Sequence, residues 1–177
     1  MNLEALRYPI GKYQVPETIS DTQLVGWINQ LEALPGQFRE ETAGLSEDQL
    51  NTPYRSEGWT VRQLVHHVSD SHHNSYIRFK WALTEDNPMI KAYDEKAWAD
   101  LFDTREAPIH LSLDHLSAVH AKLVLLLRGL SREALNRTFR HPETDEVTTL
   151  AENVGRYAWH GAHHLAHLKG LKNRMGW

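Results

Sequence analysis

The chain has 177 residues, a formal net charge of -4 and no cysteine. This length fits one domain with a sizeable core, and we predict a single domain over residues 1–177. The mildly acidic composition argues against nucleic-acid binding, which needs a basic surface, and the missing cysteines exclude disulfides, thiolate metal ligands and a cysteine nucleophile.

The sequence shows no signal for export or membrane insertion. The first ten residues contain an acid, a base and a proline, and they lack the apolar stretch of a signal peptide. The longest aliphatic block, Leu123 to Leu127, is far shorter than the roughly 18 residues that a membrane span needs. We therefore expect a cytoplasmic protein that acts on small molecules and has no membrane or nucleic-acid partner.

The first predicted helix begins with a cap at Asp21 and buries one face. Its apolar residues recur at the i, i+3, i+4, i+7 spacing of an amphipathic helix: Leu24, Trp27, Ile28, Leu31 and Leu34. Pro35 is expected to kink or break this helix, because proline lacks the backbone N–H that the helix needs. The pattern resumes after the proline and ends toward Gly44.

The second helix begins at Thr60, which forms a capping box with Gln63. Residues 84–109 follow it and are too many for a tight turn, so we predict a long crossover that forms one wall of a pocket. A short helix is expected within this crossover, around residues 94–101. The third helix runs from about Ser112 and ends at Gly129.

Two segments of the chain are similar, which indicates an internal repeat. Residues 44–55 and residues 129–140 share a Gly-Leu-Ser start and a Leu-Asn pair at the same spacing. Each segment ends one helix, offers a serine cap and leads into a helix that carries histidines. The second of these is the fourth predicted helix, which starts near Thr148 or Thr149. The sequence thus predicts an all-α fold in which a helix pair is used twice.

The repeat places three histidines on equivalent faces of two helices. His67 lies seven residues after Thr60. His160 and His164 lie 11 and 15 residues after Thr149. These offsets differ by four and eight, or about one and two helical turns, so the three side chains share one face. Facing helices of a bundle commonly hold an ion between them.

One divalent metal ion is the predicted partner of this histidine set. His160 and His164 stand one helical turn apart, so both imidazoles can bind the same ion. His67 supplies the third ligand. Three protein ligands with an open fourth position are typical of catalytic zinc. Zinc is therefore the expected metal, with nickel, manganese and iron as alternatives.

The other histidines are given supporting or structural roles. We expect His120 to be a hydrogen-bonded core residue, because it lies on an apolar face. His72 and His73 are expected to be exposed on the second helix. His66 is one step from the ligand face and is expected to be exposed or to support a ligand. His167, three residues past His164, is a candidate supporting group or alternate ligand.

The residues around the histidines argue against two classes of metal site, those of zinc proteases and of dinuclear iron bundles. A zinc protease would carry glutamate directly after its first helical histidine, but Gly161 occupies that position. A dinuclear iron bundle needs paired Glu-x-x-His motifs, and the sequence has no such pair. Asp70 is the candidate catalytic base or the group that orients His67, with a solvated surface role as the alternative.

Several motifs make the chain resemble the DinB-like superfamily and, within it, the YfiT group of metal-dependent hydrolases, which includes bacillithiol transferases. The resemblance covers nearly the whole chain and is carried by residues 7–12, 58–63, 66–72, 74–80 and 157–167. It implies a four-helix bundle with a long crossover between helices 2 and 3, and a homodimer. It also implies one divalent metal ion held by His67, His160 and His164.

Three functional hypotheses follow. In the first, the metal activates a small thiol such as bacillithiol for transfer to an electrophile. In the second, it activates water to attack an ester or amide. In the third, the protein is a non-catalytic metal-binding or sensing bundle, whose site a fourth protein ligand would close. His167 is the candidate for that fourth ligand.

Overall fold

Four long helices form the body of the protein in the computed structural model, which describes residues 3–177. They are α2 (Asp21–Thr42), α4 (Val61–Thr84), α7 (Ile109–Arg128) and α9 (Leu150–Met175). Helices α2 and α4 each pack against both α7 and α9. The two helices of each predicted pair therefore occupy opposite corners of the bundle. The predicted all-α four-helix bundle is confirmed.

Short elements connect the long helices. Five are single-turn helices: α1 (Leu3–Arg7), α3 (Glu47–Leu50), α5 (Glu95–Ala99), α6 (Phe102–Glu106) and α8 (Arg132–Leu135). Strands β1 (Thr138–Arg140) and β2 (Val147–Thr149) form an antiparallel hairpin directly before α9. This hairpin could not be predicted from the sequence, because strands of three residues are too short to show a period. The predicted short helix in the long connection is α5.

Capping side chains set the starts of three long helices. Ser20 caps α2 by accepting a hydrogen bond from the backbone N–H of Gln23 at 3.1 Å, so the predicted cap at Asp21 was wrong by one residue. Thr60 caps α4 and Thr149 caps α9, each within a complete capping box. Reciprocal bonds of this kind satisfy backbone donors that a helix start leaves free.

Helix α2 is continuous through Pro35, which corrects the expected break. The flanking residues Leu31 and Leu34 are almost completely buried in the bundle. Their packing opposes the cost of an internal proline, which is about 3 kcal/mol. Helix α7 also differs from prediction, since it starts at Ile109 and not near Ser112.

The apolar core has two parts. The first core cluster is centred on Leu31, Phe79, Leu123 and Val154, and the second on Phe38, Leu64, Leu116 and Leu168. Each cluster draws side chains from all four long helices, so each spans the full cross-section of the bundle. Burial of these side chains supplies most of the stabilisation.

Histidines lie between the two core clusters. On α9, Ala158 belongs to the first cluster and Leu165 to the second, and His160 and His164 lie between them in the chain. His120 takes the corresponding place on α7. A buried polar layer of this kind is tolerated only when its members are paired with hydrogen-bond partners or with an ion.

Candidate metal centre

Two helices bring the three predicted ligands together. His67 comes from α4, whereas His160 and His164 come from adjacent turns of α9. One ring nitrogen from each lies within 4.8 Å of the others. The Nε2 atoms of His67 and His160 are 3.3 Å apart, and the ring centroids of His160 and His164 are 4.6 Å apart. The structure therefore places these nitrogens where one ion could bind all three.

The three imidazoles are neutral at physiological pH. Burial, together with repulsion from neighbouring His163, lowers the pKa of His67 to about 4. Burial also holds the pKa values of His160 and His164 well below the ordinary histidine value, and repulsion from nearby imidazoles adds to this effect. Neutral imidazole is the form that binds metals.

An unpaired buried atom supports a metal ligand role for this group. His164 is 7% exposed, and its Nδ1 atom has no hydrogen-bond partner among residues 3–177. A buried polar atom without a partner costs about 1–3 kcal/mol. All three candidate ligands offer an imidazole nitrogen. Zinc and its neighbours in the first transition series bind such nitrogen ligands. The residues present therefore fit a bound divalent ion.

A cavity of about 500 Å³ opens beside the three histidines. Trp59 forms one wall, with its ring centroid 4.5 Å from that of His67. The connection between α4 and α7 contributes Ala92, Tyr93 and Glu95, in agreement with its predicted place as a pocket wall. The remaining lining residues are Ser71, Arg78, His141, Glu143 and Arg156. A substrate in this cavity would lie directly against the candidate ligands.

Two arginines and two glutamates line this cavity, and the arginines carry its positive charge. Arg78 donates a hydrogen bond to the hydroxyl of Tyr157 at 3.3 Å, and it has no ion pair within residues 3–177. Arg156 pairs with Glu146 at 3.0 Å. The Nε atoms of both arginines are buried, without a protein partner among the described residues. An acidic group on a substrate could pair with the guanidinium groups of these two arginines, which line the cavity.

Comparison with known proteins identifies the family. The sequence pattern of the DinB superfamily matches residues 30–168. This chain belongs to the DinB superfamily. YfiT from Bacillus subtilis (strain 168) is 48% identical over 172 residues, which cover 97% of each chain. A relative from Bacillus cereus (strain 03BB102) is 51% identical over 172 residues, which cover 97% of this chain and 98% of the relative.

The relatives also connect the superfamily to metals. Both carry provisional names as metal-dependent hydrolases. The solved structure of YfiT from Bacillus subtilis matches this chain with a TM-score of 0.96 and 48% identity, covering 98% of this chain and 99% of that one. It is described as having an unusual four-helix bundle topology. The predicted resemblance to the DinB-like superfamily and its YfiT group is confirmed.

Within this DinB-superfamily bundle, Asp70 lies on α4 outside the set of residues that line the cavity. Burial, together with repulsion from Asp103, raises its pKa to about 6. A carboxyl with such a pKa can exchange protons near neutral pH. Its role as a catalytic base stays a prediction.

Two histidines on α4 are more buried than expected. His72 is 0% exposed, although the sequence predicted an exposed residue. Its Nε2 atom lies 3.2 Å from Nδ1 of His160. His66 is also buried and makes hydrogen bonds with Ser112 at 2.6 Å and with the carbonyl of Ala107 at 3.1 Å. Helix α4 packs against both α7 and α9, so more of its surface is buried than one apolar stripe indicates.

The core role expected for His120 is confirmed, since it is 1% exposed and bonds to a backbone carbonyl. His73 is half-buried and lies 3.0 Å from His115, ring nitrogen to ring nitrogen. His167 is buried, and its Nε2 donates to the carbonyl of Arg7 at 3.2 Å. Together with His163 and His164 it forms a second possible metal group, which shares one member with the first. Of that second group only His164 lines the cavity, so the first group is the better candidate for catalysis.

Several cavity residues could not be identified individually from the sequence. His141 and Glu143 lie in the loop of the β1–β2 hairpin, and Tyr93 precedes α5. None belongs to a helical pattern or a motif that would reveal it. The one available signal was local, because Glu143 and His141 stand close together in a polar turn directly before the histidine-bearing helix.

Proposed function

We propose that this protein is a metal-dependent enzyme of the hydrolase type, in which His67, His160 and His164 hold one divalent ion, with zinc as the expected metal. One observation carries this proposal: three neutral imidazoles from two helices, those of His67 and His164 buried and that of His160 half-buried, meet at the wall of a cavity of about 500 Å³. The hydrolase names of the relatives support the same reading.

The bound ion would supply a Lewis acid that lowers the pKa of a small nucleophile, either water or a thiol. The protein supplies the position of that nucleophile. His67 is held against Trp59, and the α9 histidines are fixed by the helix itself. Fixed ligands of this kind reduce the reorganisation that accompanies the reaction.

The cavity residues would bind and orient the substrate. Burial raises the pKa of the Tyr93 hydroxyl, so this group stays protonated and can donate a hydrogen bond. Arg78 offers an unpaired positive charge. We therefore propose a small substrate that carries an acidic or strongly accepting group, as an ester, an amide or a bacillithiol-like thiol with its electrophile would.

A catalytic site fits the geometry better than a structural or sensing site. Structural zinc is closed by a fourth protein ligand, and His167 was the candidate for that place. In the structure its Nε2 bonds to a backbone carbonyl, and the residue lies outside the cavity lining. The group formed by His67, His160 and His164 faces the cavity and leaves room for a small molecule.

Metal analysis and two activity assays test the proposal. Protein purified without an affinity column should contain about one divalent ion per chain, and a His160→Ala variant should lose it. Hydrolysis predicts turnover of an ester panel without added thiol, abolished by a chelator. Thiol transfer predicts that bacillithiol reacts with a chromogenic electrophile faster on wild type than on His160→Ala. Metal retained fully by His160→Ala would refute the ligand assignment.

The assembly and location are also proposals. We propose a homodimer in the cytoplasm, and light scattering coupled to size exclusion would measure the assembly. Phe102 is 81% exposed and Leu125 is 77% exposed, which provides apolar surface for a partner. Within residues 3–177, no helix combines the length and the apolar character needed to cross a membrane.

A further inference from the structure

A row of buried hydrogen bonds leads from one candidate ligand on α9, through histidines of α4 and α7, to the backbone of α2. Nδ1 of His160 lies 3.2 Å from Nε2 of His72. Nδ1 of His72 lies 2.9 Å from Nε2 of His120. Nδ1 of His120 lies 2.5 Å from the carbonyl oxygen of Leu31. His72 and His120 are 0% and 1% exposed, so water does not compete for these bonds.

The carbonyl at the end fixes the direction of every bond in this row. A carbonyl oxygen only accepts, so Nδ1 of His120 must donate. A neutral imidazole carries one N–H, so Nε2 of His120 accepts from Nδ1 of His72. By the same rule, Nε2 of His72 accepts from Nδ1 of His160.

The row leaves one nitrogen of His160 free. Since Nδ1 carries the proton, Nε2 has its lone pair exposed. This is the atom that lies 3.3 Å from Nε2 of His67, in the candidate metal group. A charged imidazole has two N–H donors and could not accept a hydrogen bond within the row. An unpaired charge on a side chain as buried as His72 or His120 is strongly disfavoured.

The proline in α2 explains why the final acceptor is available. In an α-helix, the carbonyl of Leu31 would accept from the backbone N–H four residues later. That residue is Pro35, which has no N–H. The carbonyl of Leu31 is therefore left without its helical donor, and His120 takes this place.

We propose that His72 and His120 are positioning residues, which hold His160 in the Nδ1–H tautomer with Nε2 directed at the metal. This inference rests on the proposed metal centre. Groups that bond to a metal-ligating histidine fix its tautomer and orientation, and their loss commonly costs about 10–100-fold in metal affinity. Here the imidazoles of His72 on α4 and His120 on α7 connect the candidate ligand His160 to the backbone of α2.

The tautomers can be measured without metal and without any variant. In metal-free wild-type protein, nitrogen-15 NMR of the imidazoles should show His72, His120 and His160 as Nδ1–H tautomers. An Nε2–H tautomer at His160 would overturn the proposal. This measurement holds even if a variant fails to fold, and it does not depend on the ion.

Metal affinity then tests the effect of the row. Competition with a chromophoric zinc chelator should show about 10–100-fold weaker binding for His72→Leu than for wild type. His72→Gln should bind within a few-fold of wild type, because the amide oxygen can accept from Nδ1 of His160. This rescue separates positioning from simple loss of packing. Wild-type affinity in His72→Leu would refute the role.

A matched control uses another buried histidine of α4. His66 is adjacent to the ligand His67 and bonds to Ser112 and Ala107, outside the row. His66→Leu should therefore leave the tautomer of His160 unchanged. If the ligand assignment itself is wrong, His160→Ala should bind zinc as tightly as wild type, whatever tautomers are observed. That result is distinct from a failure of the positioning role.

Discussion

Replacing Asp70 with asparagine is expected to stabilise the metal-free protein near neutral pH. The Asp70 carboxyl is partly buried on α4, and its pKa is raised from 3.8 to about 6 by burial and by Asp103. At pH 7 the folded protein must carry this charge in an unfavourable place. Asparagine has nearly the same shape and no charge.

The pKa shift sets the size and the sign of this effect. A pKa that rises from 3.8 to about 6 corresponds to roughly 3 kcal/mol between the two protonation states. Solvent screening reduces this for a partly exposed group, so we expect about 1–2 kcal/mol. The unfolded chain releases the proton near pH 4 and the folded chain near pH 6. The contribution of Asp70 to stability is therefore lost as pH rises between these values.

Urea unfolding of wild type and Asp70→Asn, in the presence of a chelator, would measure this difference. Asp70→Asn should be more stable than wild type at pH 7.5, and the gap should shrink toward pH 5. Asp103→Asn serves as a control, because removing the neighbouring charge should lower the pKa of Asp70 and reduce the gap. A pH-independent difference between wild type and Asp70→Asn would refute the reasoning.

Three further predictions concern metal, acid and packing. His164→Ala should lose the rise in unfolding temperature that zinc causes in wild type. For wild type, free zinc at 100 times its dissociation constant corresponds to about 2.7 kcal/mol of stabilisation. Scanning fluorimetry with zinc and with chelator measures the difference. Metal-free protein should lose stability as pH falls from about 6.5 toward 4. His67 and His120 have pKa values of about 4 in the folded protein, so these histidines bind protons at a higher pH in the unfolded chain than in the folded one. Urea titrations at pH 5 and 7.5 test this. Gly161→Ala should destabilise the protein by up to about 2 kcal/mol, measured by thermal unfolding. The new Cβ would lie 2.3 Å from Cδ2 of Leu34, and the cost of this overpacking outweighs the higher helix propensity of alanine. Leu34→Ala in the same chain should relieve part of that cost.

The parts of the fold that local rules decide could be predicted from the sequence. Thr60 and Thr149 start their helices because each has a partner three residues later, and both capping boxes are present in the structure. The offsets from these threonines then placed His67 on the same face as His160 and His164. Helical geometry alone carries this inference, since it depends on residues within one element.

The burial of His72 could not be predicted, because it depends on how many neighbours α4 has. A helix with one neighbour buries one stripe, and His72 lies outside that stripe. In the bundle α4 packs against both α7 and α9, and His72 lies between His120 and His160. Pro35 was misjudged for a related reason, since its helix is held by tertiary packing and the carbonyl it frees is bonded by a residue 89 positions away.

The position of Gly161 limits where a catalytic base can come from. A zinc protease places a glutamate directly after its first helical histidine. Here that position faces α2, and even a Cβ would collide with Leu34. A carboxylate could not reach the cavity from there. A general acid or base could come instead from the predicted base Asp70 on α4, from the long connection with Tyr93 or from the hairpin loop with Glu143. In the proposed assignment, the two histidine-bearing helices supply the metal ligands, and the loops supply other side chains that line the cavity.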